Sequence, residues 1–408
     1  TGVRDCYGFG ERCPQLPPPD MAFSAPYFQL IQWDRHVGGM GDDCLNLNLW
    51  TTGADDGGKR PVIVVFHGGN YDRGSVNAPA YDGKNLALSG DVVVVTVNHR
   101  LGPLGYLHVA ELGAPPAFRD AGMAGAHDMV AALQWVRDNI ARFGGDPARV
   151  TIVGQSGGGG KVATLLAMPG AMGLFHRAVI QSGGRLGIGT SAKATQAAAA
   201  LLQALQLAPD QLQRLHARPW QDVGLALGGA GNGRFAALVG EAGLPPHPFD
   251  ATAPVASAGV PLILSSTLED AAMFSADFAM TDAQLRRSLD EDFPDSASQV
   301  LAMYRDLAPG KSPYLIRAQI DSDINYRLPA LTQAEARAGQ GAPVHMALWS
   351  WPSPAYDGQY GAVHFIDVPA MFNNARDPIV GAGAAEGAAV CMQLSTALDA
   401  FAATGRPA

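Results

Sequence analysis

The stretch Val150–Ala163, "VTIVGQSGGGGKVA", decides how the chain is read. An apolar run meets four consecutive glycines and a lysine, as phosphate-cradling loops do, yet it also sets a serine between glycines. A phosphate loop of the Walker type needs Gly, four residues, then Gly-Lys-Ser/Thr, so that backbone N–H groups wrap the phosphates and a hydroxyl reaches magnesium. Counting back from Gly160-Lys161 puts Gln155 at the first glycine position, and Val162 stands where the hydroxyl belongs. Two of the fixed positions fail. The serine reading fits throughout: Gly154-Gln155-Ser156-Gly157-Gly158 is G-x-S-x-G, the sharp strand-to-helix turn that exposes a nucleophile. Val150, Ile152 and Val153 predict the strand before it, after a turn at Asp146-Pro147. Val162, Leu165 and Leu166 predict the helix after it.

Working outward, apolar β-branched runs recur at 61–69, 91–100, 149–154, 177–184, 261–267 and 343–351. They are continuous rather than alternating, which predicts strands buried on both faces. Between them lie helical segments. In Asp128–Phe143, Met129, Leu133, Val136, Ile140 and Phe143 share one face and Gly144-Gly145 supplies the stop. The alternation predicts an α/β fold with a central, mostly parallel sheet. Residues 185–260 and 271–342 are richer in alanine and helical in pattern, and are expected as helical insertions over the active-site end. No linker divides the chain, so residues 1–408 are expected to form one domain.

Composition narrows the function. Of 408 residues, 47% are hydrophobic and 16% charged, enough for a large core. A net charge of −9 without a basic stripe argues against a nucleic-acid partner. No uncharged apolar run is long enough to span a membrane. Localisation and oligomeric state are left open by the sequence. The four cysteines include Cys13 and Cys44, which flank an irregular segment that a disulfide between them would close; Cys391, in an apolar helical run, reads as a buried small hydrophobe. No Cys/His spacing suggests a metal, and no cofactor is expected.

A serine hydroxyl needs a base, an acid that orients the base, and donors for the developing oxyanion. Such elbows predict the chain order Ser, Asp/Glu, His, with the oxyanion loop upstream. That loop reads as His67-Gly68-Gly69-Asn70 after the 61–66 run, its N–H groups joining that of Gly157.

Taken together, "GDDCLNLNLW" (41–50), "HGGNYDRGS" (67–75), "NHRLGPLGY" (98–106), "ALQWVRDNIARFGGDPARVTIVGQSGGG" (132–159), "FHRAVIQSGG" (175–184) and "GAVHFIDVPAMF" (361–372) resemble the type-B carboxylesterase/cholinesterase family, including bacterial carboxylesterases. The resemblance implies an α/β-hydrolase fold and a serine hydrolase that cleaves carboxylic esters of small molecules through an acyl-enzyme. It selects His364 as general base, and Glu269 in "SSTLEDAAMF" as the acid, with Asp270 the alternative one register away. It implies Gly69, Asn70 and Gly157 as oxyanion donors, while His67 braces their loop. Histidines 99 and 127 lie in core-like segments. Candidate wall residues are Tyr71, Phe118, Phe274, Trp349, Trp351 and Phe365, and Trp33 is expected to pack its loop.

The sequence also departs from the family pattern. Asn70 stands in place of a third glycine, and Gln155 stands where many relatives carry glutamate. The family's N- and C-terminal flanks are missing, which predicts a less stable or more aggregation-prone chain through an unpaired sheet edge. Two alternatives keep the same fold: a non-catalytic binding or adhesion module, and an amide, carbamate or thioester hydrolase using the same triad.

Overall fold

The computed structural model describes residues 6–15, 25–32, 38–183, 191–229, 235–238 and 253–408. Seven strands form one sheet in the order β1-β3-β2-β4-β5-β6-β7: β1 Leu47–Trp50, β2 Arg60–Phe66, β3 Val93–Val97, β4 Gly145–Gln155, β5 Arg177–Gln181, β6 Leu262–Thr267 and β7 Val344–Trp349. All six expected runs are strands. β1 pairs antiparallel with β3, and every other pairing is parallel.

β1 lacks the run of β-branched residues that marks the others. Its "LNLW" alternates, as suits a half-buried edge strand: Leu47 and Leu49 pack on one core, Trp50 on the other. That alternation is too short to stand out in the sequence.

The sheet separates two cores because successive side chains point to opposite faces. Val62, Val64 and Phe66 of β2, with Val150 and Ile152 of β4, face helices Ala124–Asn139, Gly157–Ala167 and Ser191–Ala204. Ile63, Val65 and Val153 face helix Ala385–Thr404 through Leu398 and Phe401. Cys391 is buried in that second core, as expected. The helix expected at 128–143 spans Ala124–Asn139 and tightens into a 3-10 turn, Ile140–Phe143, before Gly144 at φ +74°.

Residues 271–342 contain helices Asp282–Asp292, Ala297–Leu307, Pro313–Ser322 and Leu328–Ala338. The first three close a small core of their own around Leu285, Leu289, Tyr304, Ile316 and Ile320. Capping by Thr281, whose hydroxyl accepts from the Gln284 N–H, starts the first of them. Among the described residues no helix is long and apolar enough to cross a membrane.

Candidate active site

The chemistry-bearing side chains lie where the parallel strands end. β2 runs into the His67–Asn70 loop, β4 into Ser156, β5 into Ser182 and β6 into Glu269-Asp270, so one edge of the sheet gathers groups far apart in sequence.

At the elbow, Ser156 has φ +58° and ψ −125°, a sparsely populated conformation that costs about 1–3 kcal/mol for a residue with a side chain. Two backbone bonds hold it: Ser156 N–H donates to Gln181 O at 2.8 Å, and Gly160 N–H donates to Ser156 O at 3.1 Å. The turn is so tight that a Cβ on Gly154 would collide with the Gly158 backbone. The spacing of G-x-S-x-G thus has a direct steric cause.

The oxyanion loop closes against the same turn. Gly69 has φ +85° and Asn70 φ +53°, a left-handed conformation that asparagine tolerates better than most residues. A Cβ on Gly157 would collide with the nitrogen and Cα of Asn70, so the backbones of Asn70 and Gly157 meet directly. Gly69, Asn70 and Gly157, the three expected donors, are therefore neighbours around Ser156. His67 is fully buried and faces Gly68 O through Nδ1 at 2.7 Å, so that nitrogen carries a proton; its ring stacks on His99 at 4.9 Å. Burial, with the Lys161 charge adding, holds His99 well below its ordinary value. His127, expected in a core-like setting, is exposed.

The base and the acid bring a correction. His364 Nδ1 lies 2.6 Å from Oδ1 of Asp270, not from Glu269. Asp270 is fully buried and its other oxygen accepts two bonds, from Ser182 Oγ at 3.0 Å and from the Thr267 N–H at 2.9 Å. Glu269 turns the other way. Its Oε1 pairs with Lys311 Nζ at 2.5 Å and its Oε2 accepts the Ala362 N–H at 2.7 Å, while its own N–H donates to Ala362 O at 3.1 Å. Adjacent residues leaving a strand end present their side chains to different sides. Glu269 is committed to the helical insertion and Asp270 to the imidazole.

Because Nδ1 faces a carboxylate, it carries the proton and leaves Nε2 as the lone pair. Among the described residues the partner of Nε2 is the Gln155 side-chain amide at 3.1 Å, one position before Ser156. The ring therefore sits at the elbow, with the amide occupying its lone pair. The loop carrying His364 is clamped from several directions. Tyr27 Oη donates to His364 O at 3.1 Å, and the Tyr326 ring lies 5.3 Å from the imidazole. Asp367, three residues on, is pushed up to about 8 by burial and the nearby Asp270 charge.

Sequence reasoning missed Ser182, Gln155 as a partner of the base, Lys311 and Tyr326. Ser182 does sit in the quoted segment "FHRAVIQSGG", and its φ of +46° at a strand end has no signature in sequence. Of the expected wall residues, Phe365 and Tyr71 are buried packing groups: Phe365 meets Tyr81 edge-on, and Tyr71 Oη bonds Thr164 Oγ1 at 2.9 Å. Phe118 tilts against His216, Trp349 bonds Trp351 O through its indole N–H, and Phe274 is exposed. Trp33 lies outside the described residues.

Cys13 and Cys44 are brought together as the loop requires, but as thiols in hydrogen-bond contact rather than as a disulfide. Leu101 N–H donates to Cys13 Sγ at 3.2 Å, and both thiols are buried beside the Leu101 side chain.

A hydroxyl on a strained turn, paired N–H donors and a buried Asp–His pair at the end of a parallel sheet are the parts of an acyl-transfer site. Comparison with known proteins agrees. The sequence profile of the carboxylesterase family matches residues 1–408. The chain belongs to this family. It is 34% identical to para-nitrobenzyl esterase of Bacillus subtilis, covering 99% of this chain and 81% of that protein. It is 33% identical to phenmedipham hydrolase of Pseudarthrobacter oxydans, covering 92% of this chain and 74% of that protein. The crystal structure of a Geobacillus stearothermophilus carboxylesterase superposes with a TM-score of 0.78 at 32% identity, over 91% of this chain and 78% of that one. The fold is that of the α/β-hydrolases, and the enzyme is a carboxylic ester hydrolase.

Proposed function

We propose that this esterase works by double displacement with Ser156 as nucleophile, His364 as general base and Asp270 as the orienting acid. The observation that carries the reading is the 2.6 Å contact between His364 Nδ1 and Asp270 Oδ1, with the other face of the ring at the elbow. In the reacting arrangement the Nε2 lone pair exchanges the Gln155 amide for Ser156 Oγ–H. Ser156 Oγ attacks the ester carbonyl while Nε2 takes its proton. The tetrahedral oxyanion rests on the N–H groups of Gly69, Asn70 and Gly157. His364 returns the proton to the departing alkoxide, leaving the acyl-serine, and the same base then activates water to release the acid. Asp270 holds the ring in the Nδ1–H tautomer and stabilises the imidazolium.

Substitution of the nucleophile tests the reading. Ser156→Ala is expected to lower turnover of p-nitrophenyl acetate by at least about 10⁴-fold with an unchanged fold, and to abolish fluorophosphonate labelling. Peptide mapping of the labelled wild type is expected to find the adduct on Ser156. Undiminished turnover in the variant, or an adduct on another residue, refutes the assignment.

A further inference from the structure

The lysine that ends the glycine run has no place in the displacement mechanism, yet it is fully buried within reach of the oxyanion loop. Lys161 lies on helix Gly157–Ala167, the helix that begins at the nucleophile. Its Nζ donates to the carbonyl of His67 at 2.8 Å and sits 5.9 Å from the centre of the Tyr71 ring. Burying an ammonium without a carboxylate in direct contact is costly, on the order of several kcal/mol, and an apolar side chain would fill the same space without that penalty.

The backbone of the loop shows what the bond accomplishes. In a trans peptide the carbonyl and the following N–H point in opposite directions, so fixing one aims the other. Three successive carbonyls are held. His67 O accepts from Lys161 Nζ, Gly68 O from His67 Nδ1–H at 2.7 Å, and Gly69 O from the Arg73 N–H at 3.1 Å. The first peptide is pinned at both ends, because the Gly68 N–H donates to Tyr81 Oη at 3.0 Å. Holding the next two carbonyls fixes the directions of the Gly69 and Asn70 N–H groups, and the backbone of Asn70 lies against Gly157. Among the three carbonyl donors, only Lys161 comes from the nucleophile's own helix.

We propose that Lys161 is a positioning residue, a strut whose buried ammonium ties the first peptide of the oxyanion loop to the nucleophile's helix and so holds the Gly69 and Asn70 N–H groups that follow it in place relative to Ser156. The inference rests on the assignment of Ser156 and those donors given above. The groups facing Lys161 are His67, His99, Tyr71 and, at longer range, Asp72. Burial lowers Lys161 to about 7, so its charge changes within an accessible pH range.

The test compares wild type with Lys161→Met, which fills the space without donating. The oxyanion exists only in the transition state, so kcat for p-nitrophenyl acetate is expected to fall about 10–100-fold while KM stays within about twofold. Affinity for a trifluoromethyl ketone, whose adduct carries the oxyanion, is expected to fall in parallel. The ratio of wild-type to variant kcat should be larger at pH 6, where Lys161 is charged, than at pH 9, where it is neutral. Unchanged kcat and inhibitor affinity overturn the proposal. So does a loss shared with KM and independent of pH, the mark of general loosening. If the Met variant does not fold, Lys161→Leu, which likewise cannot donate, takes its place, and the same two outcomes support or overturn the proposal. Failure of the underlying site assignment would appear separately, as turnover surviving in Ser156→Ala, which no result at Lys161 produces.

Discussion

The two halves of the active site are built on different principles. The elbow and oxyanion loop are made of backbone. Gly154 passes Gly158, Gly157 abuts Asn70, and Ser156 is held in a strained conformation by bonds from its own peptide groups. The acid–base half is made of side chains: Asp270 collects Ser182, Thr267 N–H and His364, and Glu269 collects Lys311 and Ala362 N–H. Backbone geometry restricts which residues are allowed and so writes itself into the sequence as glycines at fixed spacing. Side-chain geometry leaves two neighbouring carboxylates chemically interchangeable until the strand end decides which way each one points.

That contrast makes the acid–base half the place for the largest and most selective effect. Asp270→Asn keeps the shape but removes the charge and the tautomer control, and is expected to lower kcat by about 10⁴-fold. Glu269→Gln is expected to lower kcat by less than about tenfold, and instead to cost roughly 2–4 kcal/mol in urea unfolding through the broken Lys311 pair. Equal kinetic losses in the two variants would erase the distinction between them.

The backbone half should respond to a single methyl. Gly157→Ala pushes against Asn70, and is expected to reduce kcat about 10–100-fold with little change in KM, measured on the same aryl ester. Activity near wild type in that variant would show that the two backbones need not meet for turnover.

The remaining effect is on stability and leaves the chemistry aside. Lys161 is lowered from its ordinary value to about 7 in the folded state, so between that pH and about 10.5 the unfolded chain binds more protons and stability rises with pH. Lys161→Met removes this dependence. Its advantage in stability over wild type is therefore expected to be greatest at and below pH 7, on the order of 4 kcal/mol before the lost hydrogen bond is subtracted, and to shrink toward pH 10. A difference in Tm that is flat across the window would place the lysine's titration elsewhere.

Most of the architecture was legible in the sequence because strands covered on both faces are written as near-continuous apolar runs, although β7, read in the same way, is a partly exposed edge strand. β1 was not, since four alternating residues at an edge carry too little signal. Within the site, Ser156 and the oxyanion loop are readable from local spacing, and His364 only through the resemblance to relatives. That resemblance puts Glu269 first and Asp270 second, whereas the carboxylate beside His364 is Asp270. Nothing in "TLEDAA" states that Glu269 faces a lysine 42 residues further on while Asp270 faces an imidazole. Lys161 is visible in the glycine run itself, and only the carbonyl in front of it gives the residue a purpose.

The separation along the chain has a consequence for biosynthesis. The elbow is complete in sequence well before the imidazole that must activate it, since Gln155 and His364 are 209 positions apart. A polypeptide emerging from the ribosome thus carries an inert alcohol until that later segment has been made and has docked.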